Sequence, residues 1–235
     1  MSSNLKEIID IALQILERLP ITIWIMALSA AAGLLLGLLL AIVRIKKSPI
    51  PYALATLYIS FMRCTPTIVQ LFLIFYGLPQ LLTLINLDVN DWSPFVFAVI
   101  ALSMHSAAYF SEVIRSSYMA VGSGQMEAAY SVGMSYFQAL RRVILPQAFG
   151  ISLPVLSNNI ISLLKETSLV FSIGITDMMG QVNIIVGNNY GTNVMTVYIV
   201  ISILYWLLSI LIGRGTAYLE KKQIRSGYGG LARSK

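Results

Sequence analysis

Apolar residues fall into five long runs along this chain, near 21–43, 57–85, 94–114, 150–172 and 194–213, separated by short polar breaks. A helix needs about 20 apolar residues to cross the hydrocarbon core of a bilayer, so each run predicts a membrane span. Ahead of the first, Leu5, Ile8, Ala12, Ile15 and Leu19 recur at helical spacing among Glu7, Asp10 and Glu17. That pattern predicts an amphipathic helix lying along the membrane surface, not a signal peptide. Ser93-Pro94 offers an N-cap and a first-turn proline to the third run, while Gly77 and Pro79 disturb the outer end of the second. Between Gly174 and Gly191 four glycines alternate with apolar residues; a short re-entrant helix fits there, provided that protein shields its backbone. The tail Ser226-Gly227-Tyr228-Gly229-Gly230 is small and polar, a mobile end. No internal repeat is evident. The fold class implied is an all-α membrane protein of about five spans, one domain over residues 1–235.

The polar stretch near 120–148 breaks this rhythm. Ser135 followed by Gln138 is a capping box that starts a helix. Tyr136, Phe137, Leu140, Val143 and Ile144 then recur on one side, with Gln138, Arg141 and Arg142 on the other. Gly133 permits the turn that sets this helix apart from the Glu127–Val132 turn before it, and Pro146 closes the unit. Two readings stand: an amphipathic helix on the membrane surface, or a docking knob for a soluble partner.

Polar residues inside the runs form stripes. Arg63, Thr67 and Gln70 follow i, i+4, i+7 in the second run, with a kink expected at Pro66. His105, Tyr109, Glu112 and Ser116 form a second stripe in the third run. Asn158, Asn159, Ser162, Lys165 and Glu166 form a third in the fourth. Each of Arg63, Lys165 and Glu166 costs roughly 2.5–3.5 kcal/mol at a helix centre, so the three should face protein or a wet cavity. One reading is a network of salt bridges joining helices. The other, favoured because ionisable groups within spans mark substrate routes, is a path for a zwitterion. In it Arg63 or Lys165 meets a carboxylate and Glu166 an ammonium. His105 reads as a satisfied helix–helix contact, Glu112 and Arg115 as a pair within one helix, and Gly33 with Gly37 as a close-packing face.

Composition narrows the class. The 235 residues are 57% hydrophobic and only 11% charged, against about a quarter charged in soluble chains. Twelve of the sixteen Lys and Arg residues fall in the segments after the first span, after the third and in the tail; Lys6 and Arg18 lie opposite. The positive-inside rule then places the amino terminus outside, with the carboxyl terminus and the 120–148 loop inside. That topological need also explains the net charge of +6, which therefore does not indicate nucleic-acid binding. One cysteine, Cys64, and one histidine cannot build a thiolate–imidazole zinc site. No Gly-x-x-x-x-Gly-Lys-Ser/Thr is present to cradle ATP phosphates. A Ser/His/acid hydrolase would have to recruit His105, which no nucleophile motif accompanies.

Glu127-Ala128-Ala129 with Gly133, followed by Ile144-Leu145-Pro146, resembles the EAA loop of bacterial ABC importer permeases. Arg63-Cys64-Thr65-Pro66 with Gln70 is similar to an Arg-Gly-Thr-Pro segment of the polar amino-acid permeases, Cys64 standing where they have glycine. Lys165-Glu166-Thr167-Ser168-Leu169 resembles their Lys-Asp-Thr/Ser-Ser-Leu segment. The likeness runs from about Thr22 to Tyr218. It implies the type I importer fold, and the stripes read above supply the substrate path through Arg63, Thr67, Gln70, Ser162, Lys165 and Glu166. It also implies a coupling segment of Glu127, Ala128, Ala129 and Gly133 seated in a cytoplasmic ATPase. Implied partners are a dimer of ATP-binding subunits that carry the ATP and Mg, a second permease subunit alike or similar, and an extracytoplasmic amino-acid-binding protein. The setting is the bacterial cytoplasmic membrane and its lipid; no cofactor or metal is expected on this chain. Cystine, glutamine, arginine and histidine stay open as cargo, and an ion-gradient-driven carrier is the alternative that explains the stripes but not the knob.

Overall fold

The computed structural model describes residues 2–188, 191 and 193–223, and among them every regular element is a helix. The 226–230 tail, with Arg225, Arg233 and Lys235, lies outside the described residues. Eleven labels suffice: α1 Ser2–Leu16, α2 Leu19–Lys46, α3 Pro49–Cys64, α4 Thr67–Phe72, α5 Leu78–Thr83 and α6 Pro94–Ala120, then α7 Ser123–Ser131, α8 Tyr136–Ala139, α9 Leu145–Glu166, α10 Met178–Asn188 and α11 Val194–Gln223. Four helical runs among the described residues are long and apolar enough to cross a membrane, five if the bent pair α3 with Thr67–Thr83 counts as one span.

The bundle is organised by α2 against α6. Gly33 and Gly37 put bare backbone at that seam: a Cβ on Gly33 would stand 2.9 Å from Ser106 Cβ, and one on Gly37 3.0 Å from Ala107 O. The Gly-x-x-x-Gly face is therefore a packing face, as its spacing predicts. Ser29 reaches Val99 O, Gly33 abuts Ser106, and Arg44 meets Glu112, so the two helices run parallel. A core of Ile25, Leu71, Ala98, Leu102, Leu163 and Val170 joins α2, α4, α6, α9 and the Thr167–Ile173 turn after α9.

The second apolar run is two helices, not one continuous helix, and the bend expected at Pro66 is sharp. It begins at Pro49, stops at Cys64, and resumes at Thr67 after a bend of 115°. Proline explains the break. Pro66 brings no N–H, and it drives the residue before it out of the helical region, so Thr65 is extended at φ −104°, ψ 138°. Arg63 and Gln70 consequently sit on different helices and share no face.

Prolines shape two other places in a matched way. Leu73–Gly77 and Leu140–Ile144 are π-helical turns, each ending two residues before a proline, Pro79 and Pro146. A widened turn makes room for a ring that would otherwise strike the carbonyl of the preceding turn. Pro146 thus does not close the knob: the helix continues from Tyr136 through the π turn into α9. Ser93 occupies the N-cap position of α6, but its side chain makes no capping bond.

The glycine-rich stretch is helical and well anchored. A 3-10 turn over Thr167–Ile173 ends at left-handed Gly174, φ 88°. Bonds from Gly174 N to Phe171 O and from Ile175 N to Val170 O close it. Asp177 then caps α10 by accepting from Gly180 N at 2.8 Å. Against α10 and α11 packs α1, through Ile11 and Ile15. The first helix therefore docks on protein, and its buried seam is Ile11–Ile15, while Leu5 and Ile8 of the expected stripe are exposed.

Candidate functional site

A polar cavity of about 190 Å³ opens between α6 and α9. From α6 it is lined by His105, Ser106, Tyr109 and Phe110, and from α9 by Asn159, Ser162 and Glu166. The residues recur at helical spacing on each helix, so each helix turns one polar stripe toward the other. Glu166 Oε1 lies 3.2 Å from His105 Nε2. On the far side of the ring, His105 Nδ1 lies 2.9 Å from Gln70 Oε1. Gln70 Nε2 in turn donates to Met62 O at 2.7 Å and to Thr65 O at 2.8 Å. Met62 O is the helical carbonyl whose ordinary donor Pro66 removes, and Thr65 is the extended residue just past the end of α3. One hydrogen-bonded chain thus runs from the break in the second run to the wall of the cavity.

Arg63 approaches from α3 with its guanidinium carbon 5.7 Å from the centre of the Tyr109 ring, a cation–π stack. Of the six path residues expected from sequence, Ser162 and Glu166 line the cavity, Gln70 reaches it through His105, and Arg63 reaches its Tyr109 wall. Thr67 begins α4 and is half-buried, away from the lining; Lys165 is exposed, about a quarter-turn around α9 from Glu166. His105, Tyr109 and Asn159, marked only by their stripes, also line it, together with Ser106 and Phe110, which no sequence pattern singled out. The i, i+4 spacing of His105 and Tyr109, set against Asn159, Ser162 and Glu166, was the available signal. Among the described residues no cluster of His, Cys, Asp or Glu could hold a metal ion.

The second feature is the knob. Helix α7 spans nine residues, longer than the turn expected at Glu127–Val132. Glu127 and Ala128 are exposed, and Ala129 is buried. Gly133 at φ 79° ends it, with Gly133 N donating to Tyr130 O and Met134 N to Ala129 O, the paired bonds of a left-handed helix stop. Ser135 and Gln138 complete both halves of the capping box. Beneath lies a small core of Val121, Ile144 and Ala148. Above it Tyr130, Val132, Tyr136 and Phe137 are exposed, Val132 and Phe137 being 72% and 78% accessible. Apolar side chains displayed on a capped, rigid platform suit a protein partner.

Residues 33–225 match the family described as binding-protein-dependent transport system inner membrane component. The chain is 46% identical over 194 residues to the L-cystine transport system permease protein TcyL of Bacillus subtilis (strain 168), covering 82% of this chain and 80% of that one. It is 37% identical over 198 residues to the arginine transport system permease protein ArtQ of the same organism, covering 84% and 87%. Among solved structures it resembles the crystal structure of an amino acid ABC transporter with histidines, at TM-score 0.79 and 32% identity over 92% of this chain and 97% of that one. The inward-facing MetNI methionine ABC transporter, at TM-score 0.64 and 19% identity over 89% and 94%, shares the fold.

Proposed function

The chain belongs to the family of binding-protein-dependent transport system inner membrane components, and from that premise we propose that it passes a polar L-amino acid through the cavity between α6 and α9. It is a multi-pass permease component of an ABC importer. One observation carries the choice of cargo site: the cavity is the place where a span carboxylate, Glu166, meets uncharged donors and acceptors, with Arg63 stacked on its Tyr109 wall. That set suits a zwitterion, whose ammonium takes Glu166 and whose carboxylate is met by donors of Ser162, Asn159 and Arg63. L-cystine is the first cargo to test, given the relative at 46% identity.

The knob is the coupling site. Glu127 and Ala128 present α7 to an ATP-binding subunit, which holds the ATP and Mg, and the exposed Tyr136 and Phe137 flank it. Closure of two such subunits rocks the paired permeases between inward- and outward-open states, and an extracytoplasmic binding protein delivers the amino acid. The basic ends of α2, α6 and α11 and the Arg141–Arg142 turn ahead of α9 face the cytoplasm, and the amino terminus lies outside.

The test is uptake of labelled L-cystine, L-arginine and L-glutamine into proteoliposomes holding the complete importer. Glu166→Gln keeps the shape and removes the charge. It should lower uptake of the true cargo roughly ten- to a hundredfold, with basal ATP hydrolysis retained because the knob is untouched. Unchanged uptake of all three by that variant would overturn the assignment.

A further inference from the structure

The hydrogen-bonded chain from Gln70 to Glu166 determines where a proton must sit. Gln70 is buried, and both hydrogens of its amide nitrogen are committed to Met62 O and Thr65 O. Flipping the amide would set its oxygen against two carbonyls, so the orientation is locked. Gln70 Oε1 can then only accept, and His105 Nδ1, 2.9 Å away, must carry the hydrogen. A neutral ring with its hydrogen on Nδ1 shows a bare lone pair at Nε2. That lone pair would face a carboxylate oxygen 3.2 Å away, acceptor against acceptor. A proton between the two removes the conflict, whether it is drawn on nitrogen or on oxygen.

We infer that His105 and Glu166 hold one proton between them at the cavity wall, and that the ammonium group of the cargo displaces it. The first half stands on the hydrogen-bond geometry; the second rests on the cavity being the substrate site. When the ammonium arrives, the bond to the shared proton breaks and the proton leaves to water in the cavity. Glu166 remains as a carboxylate paired with the ammonium, and His105 stays neutral with its hydrogen on Nδ1. The empty pair has no net charge, and the carboxylate–ammonium pair has none, so each ammonium seated releases one proton. Gln70 is the positioning residue, because the break at Pro66 orients it and it orients the imidazole.

Few other groups bear on this proton. Tyr109 is the titratable neighbour on α6, its ring centre 4.9 Å from that of His105, and Arg63 of α3 stacks beyond it. Tyr58 of α3 is committed to Met104 O at 2.6 Å, and Tyr76 of the Leu73–Gly77 turn packs on Phe72 and Phe75. Helix α2 has no titratable side chain between Arg18 and Arg44, and neither α4 nor the Thr167–Ile173 turn has any; on α9 the adjacent Lys165 is exposed.

His105 is the chain's one histidine, which makes the proton directly readable. Nitrogen-15 solid-state NMR of the full chain, labelled on histidine and held in lipid bilayers, should show Nδ1 protonated and Nε2 in a strong hydrogen bond. Gln70→Met should release the lock and let the hydrogen settle on Nε2 alone. A neutral wild-type ring protonated only on Nε2 overturns the shared proton, whatever the variant does. Displacement is read by L-cystine uptake through the complete importer at saturating binding protein. The wild-type rate, taken relative to His105→Asn, should fall as pH is lowered, by about tenfold per unit where the proton competes fully. A flat ratio, with Glu166→Gln still losing uptake, overturns displacement and leaves the cavity reading in place. Full uptake by Glu166→Gln removes the cavity reading and displacement together, and the NMR result then stands alone.

Discussion

Arg44, in the last turn of α2, donates to Glu112 Oε2 on α6, tying the basic ends of two parallel helices through one carboxylate. The other oxygen of Glu112 accepts from Arg115 at 2.5 Å, so two guanidinium groups converge on a single acid. Glu112→Gln would leave the two cations facing each other in a partly buried place. The cost should fall between that of a surface pair and a buried one, about 1–3 kcal/mol. A lowered thermal midpoint of the detergent-purified protein measures it. Arg44→Met in the same background should recover part of the loss, because it removes the uncompensated charge.

Gly37 tests the seam itself. A Cβ there would lie 3.0 Å from both Ala107 O and Phe110 Cβ, and backbone cannot step aside as a flexible side chain does. Gly37→Val should destabilise by about 1–3 kcal/mol or more and reduce the membrane-extracted, monodisperse yield. Gly77, with nothing within 4 Å of its would-be Cβ, provides the control: Gly77→Ala should change yield little.

Much of this architecture is legible in apolar spacing, and the exceptions share a physical cause. The Gly33/Gly37 face, the Ser135/Gln138 box and the Gly133 turn depend on neighbours in sequence, so local chemistry specifies them. The second run misleads because helical spacing across Pro66 assumes a continuous axis. Once the chain bends 115° there, Arg63 and Gln70 part company, and Gln70 turns to the carbonyls the break exposes. His105 reads as a satisfied contact and is one, yet its partners come from α4 and α9, 35 and 61 positions away in sequence. Pairing at that range is a property of packing, and no local spacing encodes it. Lys165, adjacent to Glu166, shows the converse: neighbours on a helix point about 100° apart, and one faces the cavity while the other does not.

Asp177 makes stability depend on pH. Its carboxyl is fully buried, and burial lifts it from 3.8 to about 6, against the opposing pull of the Gly180 N–H. The folded chain therefore holds its proton over a range in which the unfolded chain has lost it. Stability from this group is fully present below about pH 4, declines as pH rises towards about 6, and is level above. Asp177→Asn can still accept from Gly180 N but does not ionise. Thermal midpoints at about pH 4.5 and 7 should differ less in this variant than in the wild type; an unchanged difference would count against the shift.

Orientation is testable at two exposed positions at opposite ends of the bundle. In a Cys64→Ser background, Asn90→Cys should react with an impermeant maleimide in intact cells, and Ser123→Cys only after permeabilisation. Labelling of the second variant in sealed cells would invert the topology and carry the knob to the wrong side of the membrane.

Gly133 separates coupling from folding. Its φ of 79° lies in the left-handed region and its N–H donates to Tyr130 O, while nothing stands within 4 Å of a would-be Cβ. Gly133→Ala keeps the hydrogen bond and meets no clash, so it should cost about 1–2 kcal/mol of local strain and leave transport substantially intact. Gly133→Pro cannot adopt the positive φ and has no N–H to give, so it should dismantle the stop of α7 and shift Glu127 and Ala128. The spans lie elsewhere, and the protein should still reach the membrane. Uptake by the complete importer should then be lost, with co-purification of the ATP-binding subunit weakened or its hydrolysis no longer stimulated by loaded binding protein. If Gly133→Pro instead transports and retains its ATPase as Gly133→Ala does, α7 is a surface helix and the coupling assignment falls.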